Sequence, residues 1–325
     1  MSGGVRDEPS AAPEQLSLVG RLLDGVRRAR DSDIAYSFSR SPVTMVAAAI
    51  SFAFMLAALF APLVAPYDPF DLATVSLLDA RTPPMWLDGG ETRFLLGTDP
   101  QGRDMLSAII YGARISLAVG FASVLLAATL GIVLGLLAGY LGGWVDSVIM
   151  RIADVQLTFP AILIALLIDG VVTGLIGKVD RENTAFTVLV ISIGLSFWVQ
   201  YARTVRSSTL VERNKEYVQA ARLIGIPPIV IMLRHVLPNV MGPVLVIATI
   251  NLALAVITEA TLSFLGVGIP ATQPSLGTLI RIGNDYLFSG EWWITIFPGA
   301  ALAIFVLAVN LLGDWLRDAL NPKLR

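Results

Sequence analysis

Long apolar runs separated by short polar breaks dominate the chain. From Val43 to about Pro66 no charged residue interrupts more than 20 positions. A helix of that length crosses roughly 30 Å of hydrocarbon. Further runs at about 115–140, 145–168, 184–201, 240–265 and 292–312 bring the expected spans to six. The pattern predicts an all-α polytopic membrane protein, with a cytoplasmic tail over 1–42 and a transmembrane domain over 43–325. Residues 1 to about 15 are polar, and 16–30 alternate leucines and valines with arginines, as in a helix lying on an anionic membrane surface or a solvated helical tail.

Within the second run, Gly120, Gly131, Gly135 and Gly139 offer small-residue faces for close helix packing, and Gly142 with Gly143 makes a tight turn. The third run carries Asp154, Gln156 and Pro160. A carboxylate in a span costs about 2.5–3.5 kcal/mol, so Asp154 should face protein or water. Polar residues 169–183 read as a loop, and Trp292 with Trp293 as an interfacial anchor before the last span.

Two polar stretches carry the candidate chemistry. In the break over 203–239, Asn214 is a plausible cap for a short helix with Glu216 in its first turn. Tyr217, Ala220, Ala221 and Ile224 fall on one face at helical spacing. Gly225 suits the C-terminal stop and Pro227 forbids continuation. Pro228 then opens a second short helix, which Pro238 breaks after Leu237. The small Ala220 and Ala221 would let another surface come close to the backbone. In the break before the second span, Asp99 can cap a helix starting at Pro100, with Met105, Leu106, Ile109, Ile110 and Ala113 along one side. Such a segment would lie along the outer membrane boundary. A calcium loop is excluded there by the missing alternating oxygen ligands and closing glutamate.

Composition removes other classes. Hydrophobic residues are 55%, charged residues 15%, and mean hydropathy is +0.73, beyond what a soluble domain could solvate. A net charge of −2 gives no global field to attract nucleic acid. Absence of cysteine removes disulfides, thiolate metal sites and thiol nucleophiles. No phosphate-cradling G-x-x-x-x-G-K-[ST] loop, H-E-x-x-H or G-x-S-x-G occurs, and the lone His235 cannot build a metal site. No cofactor is expected. The first apolar run begins too late, and lacks the small-residue ending, for a signal peptide.

The central break resembles the EAA signature of ABC importer permeases. Ala220, Ala221, Gly225, Leu237 and Pro238 match in register, whereas Gln219 stands where the family has Glu and His235 where it often has Ile. Residues Gly97, Thr98, Asp99, Gly102, Arg103, Asp104, Ser107, Gly112, Arg114 and Ser116 match the pattern of the C-type permease of dipeptide and oligopeptide importers. The segment around Glu259 is close to that family's E-A-x-L-S-F-L-G. The resemblance implies a type I importer permease fold in a bacterial cytoplasmic membrane. It implies a second related permease, two ATP-binding subunits and an extracytoplasmic binding protein as partners. Residues Glu216, Gln219, Ala220, Ala221, Gly225, Leu237 and Pro238 would couple to the ATPase. Asp99, Gly102, Arg103 and Asp104 would contact the binding protein or close the outer mouth. Glu259 either lines the route or ties two helices together, and the same choice stands for Asp154. Relatives carry dipeptides, longer peptides, glutathione, opines or nickel chelates.

Lys and Arg number 16 of 23 on the side holding both ends and the central break. The positive-inside rule therefore predicts that side to be cytoplasmic. An ion-coupled transporter acting alone is the rival reading; it lacks visible inverted repeats and has few intramembrane ionisable residues.

Overall fold

The computed structural model describes residues 33–71, 75–176 and 181–319, and these are helical apart from loops and turns. The amphipathic pattern over 16–30 lies outside the described residues. A short helix α1 (Asp33–Arg40) leads into α2 (Pro42–Leu59), where the Ser41 hydroxyl accepts the Thr44 amide and Pro42 occupies the first turn. The first span was expected to reach Pro66; its helix stops at Leu59, because Pro62 has no amide to extend the ladder, and a single turn α3 (Ala61–Val64) follows.

Next comes α4 (Met105–Leu141), a 37-residue helix of about 55 Å, capped by Asp104. Asp99 is thus not the cap, and no separate boundary helix starts at Pro100. Gly142 and Gly143, both at positive φ, turn the chain into α5 (Gly143–Leu157), which continues after a break as α6 (Ala161–Ile176). The two meet at 96°, so the third span is not one straight helix. Pro160 explains the break: it withholds an amide and drives Phe159 out of the helical region. The expected loop over 169–183 is helical to Ile176, and Asp169 is buried within α6.

Helix α7 (Arg181–Glu212) runs some ten residues beyond the predicted end of the fourth span. After α8 (Glu216–Leu223) comes α9 (Pro228–Ile231), a π-helical turn Met232–Val236, and α10 (Leu237–Phe264). The helix is not broken at Pro238. Its wider turn, in which the Leu237 amide reaches the Met232 carbonyl, absorbs the missing proline donor. A short α11 (Leu276–Asn284) precedes α12 (Trp293–Ala319). Among the described residues five helices are long and apolar enough to cross a membrane, or six crossings if the bent pair counts as one.

Parallel packing of α4 on α7 forms the centre. A Cβ on Gly131 would sit 2.3 Å from Tyr201 Cβ, one on Gly135 2.6 Å from the Ala202 carbonyl, and one on Gly139 2.7 Å from Thr209 Cβ. These glycines at four-residue spacing form the flat seat that α7 fills, as their spacing predicted. Gly120 meets Val256 of α10 in the same manner. Helix α5 is fixed to α7 by polar rungs: Trp198 donates to Gln156 at 2.7 Å, and Asp146 pairs with Arg206. On the far side, Phe54 of α2 packs on Phe305 of α12 and Phe38 of α1 on Trp315. One end of the bundle carries residues 61–71, 75–104 and 265–292; the other carries α1, α8 and the end of α12.

Candidate functional site

At the second end, α8 is a knob on a fixed mount. Its cap is Lys215, with no side-chain capping bond; Asn214 instead donates to the Leu210 carbonyl. Its buried face is Val218 and Ala221; of the predicted set Ala221 is buried, whereas Tyr217, Ala220 and Ile224 are exposed. Gly225 closes the helix at φ 81°, and nothing crowds the position of a Cβ there, so conformation alone requires the glycine. Leu223 and Ile224, 88% and 76% exposed, form an apolar tip, and Ile229 in the next short helix is exposed too. Glu216 and Gln219 are exposed, Gln219 donating to the Asn214 carbonyl, while Leu237 is half-buried and Pro238 exposed.

Three side chains fix this knob and the turn before it to the bundle. Tyr217 donates to Glu212 at the end of α7 at 2.5 Å and accepts from Asn239 of α10 at 3.1 Å. Burial, and then the Glu212 carboxylate, push the phenol up to about 12, so it remains a neutral donor at any physiological pH. Arg222 lies over the Tyr140 ring at 4.8 Å from the end of α4 and donates to its hydroxyl. Arg213 donates to the Gly139 carbonyl at 2.8 Å. Sequence reasoning missed these mounts. Only the basic residue in the last turn of α8, Arg222, hinted at one.

At the opposite end, Asp99, Gly102, Arg103 and Asp104 come together as predicted neighbours, but all four are buried. Asp99 accepts the Gln101 and Arg103 amides on one oxygen, at 2.8 and 3.0 Å, and the Arg103 guanidinium on the other at 2.6 Å. Arg103 also donates to the Ala271 carbonyl, and Trp293 to the Thr98 carbonyl at 3.1 Å. The first loop is thereby fastened to the loop after α10 and to α12. Gly102 has φ 81°, and a Cβ would fall 2.1 Å from the Ser76 carbonyl. Asp104 accepts the Ser107 amide and hydroxyl; burial nonetheless holds its carboxyl above the usual range.

Glu259 ties helices together. It is fully buried and accepts the hydroxyls of Ser116 of α4 and Ser263 of its own helix, each at 2.7 Å. Ser116 in turn accepts the Leu276 amide of α11, so three helices meet at this carboxylate. Asp154 does not join this cluster: it pairs with Arg203 at 2.5 Å on an exposed face of α5 and α7. Among the described residues no group of three or more metal-type ligands forms.

The family model described as binding-protein-dependent transport system inner membrane component matches residues 131–325, and the N-terminal transmembrane domain of oligopeptide transport permease C matches 32–84. The chain is 41% identical over 269 residues to the di/tripeptide transport system permease protein DppC of Pseudomonas aeruginosa, covering 82% of this chain and 84% of that protein. It is 40% identical over 268 residues to the dipeptide transport system permease protein DppC of Escherichia coli K12, covering 82% and 85%. Among solved structures, inward-facing MetNI methionine ABC transporter aligns with a TM-score of 0.52 at 20% identity, over 67% of this chain and 98% of the other.

Proposed function

Since this chain belongs to the family of binding-protein-dependent transport inner membrane components, we propose that it works as one of two related permeases in an ATP-driven importer of short peptides. It is a multi-pass inner-membrane protein, a permease subunit of a peptide ABC importer. Membership implies ATPase partners, and the chemistry of ATP hydrolysis is theirs. In the proposed assembly two ATP-binding subunits and an extracytoplasmic binding protein complete the complex, with both termini and α8 cytoplasmic. The arginine and lysine distribution supports that orientation.

One observation carries the coupling role. Leu223 and Ile224 expose large apolar side chains at the tip of a helix that is itself held rigidly to three spans. An exposed apolar tip on a rigid base fits a groove in a partner. Closure of the ATPase pair would press on this tip, and the mounts would pass the displacement to α4, α7 and α10 as rigid-body rocking. At the other end, Asp99, Gly102, Arg103 and Asp104 would serve the binding protein indirectly. They shape the loop whose exposed Gln101 and neighbours make contact.

Reconstitution of the complete importer in proteoliposomes tests the proposal. Leu223→Glu with Ile224→Glu should leave the two permeases paired while releasing the ATPase subunits and ending ATP-dependent dipeptide uptake. Full uptake by the double variant, or wild-type uptake without any ATPase subunit, would overturn it.

A further inference from the structure

A cavity of about 650 Å3 opens at the loop-bearing end between α4, the start of α7 and the loop after α10. Three polar side chains line it: Tyr111, Arg114 and Gln273. Among the described residues none of the three makes a side-chain hydrogen bond or ion pair, although almost every neighbouring ionic group is engaged. All three can donate, and one carries a full positive charge. Phe70, Phe186 and Pro270 form apolar walls, with Phe70 edge-on to Tyr111 at 5.4 Å. A fixed cation, two neutral donors and aromatic walls suit a carboxylate attached to an apolar or aromatic group.

We propose that this cavity receives the C-terminal carboxylate of a short peptide, with Arg114 as its ionic partner and Tyr111 and Gln273 as additional donors. The inference rests on the peptide-importer reading above. Guanidinium and carboxylate match in planar, two-point geometry, and the partial enclosure strengthens the pair relative to open water. The position also suits the role: Arg114 is the last charge before the apolar run of α4, where cargo leaves water. Ile269 and Pro270, on the same wall, belong to the loop that follows the Glu259 helix, so an occupied cavity bridges α4 to that loop.

The complete importer, purified in detergent without its binding protein, provides the test. The probe is glycyl-phenylalanine, compared with its C-terminal amide by saturation-transfer NMR; ATP-dependent uptake is measured in proteoliposomes. Arg114→Gln should weaken binding of the free acid about ten- to a hundredfold, the loss expected for one charge-assisted hydrogen-bonding pair. The same change should leave binding of the amide unaffected. Arg114→Lys should fall between, and Gln273→Ala should weaken binding by a smaller factor. Equal binding of acid and amide by the wild type, or unchanged binding by both Arg114→Gln and Gln273→Ala, overturns the proposal. So does loss of co-purifying phosphatidylglycerol from Arg114→Gln with peptide binding intact, since the guanidinium would then serve a lipid phosphate. Failure of the wild type to take up any peptide, with the binding difference intact, would instead refute the importer reading and leave the site standing.

Discussion

Asp99→Ala should loosen the first loop without unfolding the bundle, and the structure sets the size of the effect. Asp99 and Arg103 are 0% and 3% exposed, so the substitution strands a guanidinium away from water. Removing one partner of a buried ion pair costs about 3–5 kcal/mol, most of it from the charge left behind. Arg103 retains the Ala271 carbonyl at 3.1 Å, which places the cost near the lower figure. The Gln101 and Arg103 amides also lose their acceptor. At about 1.4 kcal/mol per tenfold, the local opening constant should rise by two orders of magnitude or more.

Hydrogen exchange with peptide-level mass spectrometry reads this directly. The segment 97–104 should lose protection about a hundredfold, and 267–275 should follow because Arg103 holds it, while 120–140 stays as in the wild type. Asp99→Asn keeps the oxygen that accepts both amides and loses only the charge, so it should fall between. Replacing both residues by leucine should cost less than Asp99→Ala alone, because no buried charge remains. Wild-type exchange over 97–104 in Asp99→Ala would refute the claim that this pair holds the loop.

Other substitutions probe the remaining joints. Gly131→Leu should lower the thermal midpoint of the detergent-purified chain sharply, since even its Cβ would overlap Tyr201 and the Trp198 carbonyl; Gly170→Leu, where nothing lies within 4 Å, should scarcely move it. Glu259→Gln should cost less than about 1 kcal/mol in denaturant unfolding, because the serine hydroxyls can rotate to serve an amide. Glu259→Ala should cost about 2–5 kcal/mol from the cavity and the stranded hydroxyls. Tyr217→Phe removes the bridge between Glu212 and Asn239 and should reduce binding-protein-stimulated ATPase activity several-fold with ATPase docking intact. Asp104 takes up its proton more readily folded than unfolded, so its contribution is present below the ordinary aspartate pKa and lost as pH rises through the higher folded value. Asp104→Asn should remove that increment from the difference in unfolding free energy between pH 4 and pH 7.

The sequence made some of this architecture legible and hid the rest for physical reasons. The all-helical membrane fold followed from apolar run length, which the bilayer imposes. The glycines of α4 showed their purpose through four-residue spacing, and Gly225 through a conformation that only glycine takes freely. Helix ends were harder to see. Both Asp99 and Asp104 can cap, and the choice depends on Arg103 at 2.6 Å, a contact between side chains that no local pattern reveals. Pro238 read as a breaker because a proline removes one donor, but a π turn before it removes the need for that donor. The face of α8 that is buried, Val218 and Ala221, is set by tertiary packing rather than by local spacing, and its Arg222 reaches Tyr140, more than 80 residues earlier. Ser116 lay inside a matched motif without an evident role; only the crossing of α4, α10 and α11 gives it one.

These joints also explain why α4 is so long. Its 37 residues extend beyond the roughly 30 Å that a membrane requires, and side chains toward both ends make tertiary joints. Near its start, Ser116 joins Glu259 and the Leu276 amide; at its finish, Tyr140 and the Gly139 carbonyl hold Arg222 and Arg213 beside the exposed knob. In the proposed coupling, an unbroken helix with a glycine seat fitted closely against α7 would pass a push at one end to the other as displacement. Helices α5 and α6 are broken at Pro160, so in the same proposed coupling they would follow α7 through their polar rungs rather than transmit the push themselves. Stiffening the break should therefore matter less than softening α4. Pro160→Ala should leave ATP-dependent uptake within a few-fold of wild type, whereas a proline at Val124 in the middle of α4 should abolish uptake even where the subunits still assemble. Equal loss in both variants would show that displacement travels through the bent pair, and would remove α4 from this role.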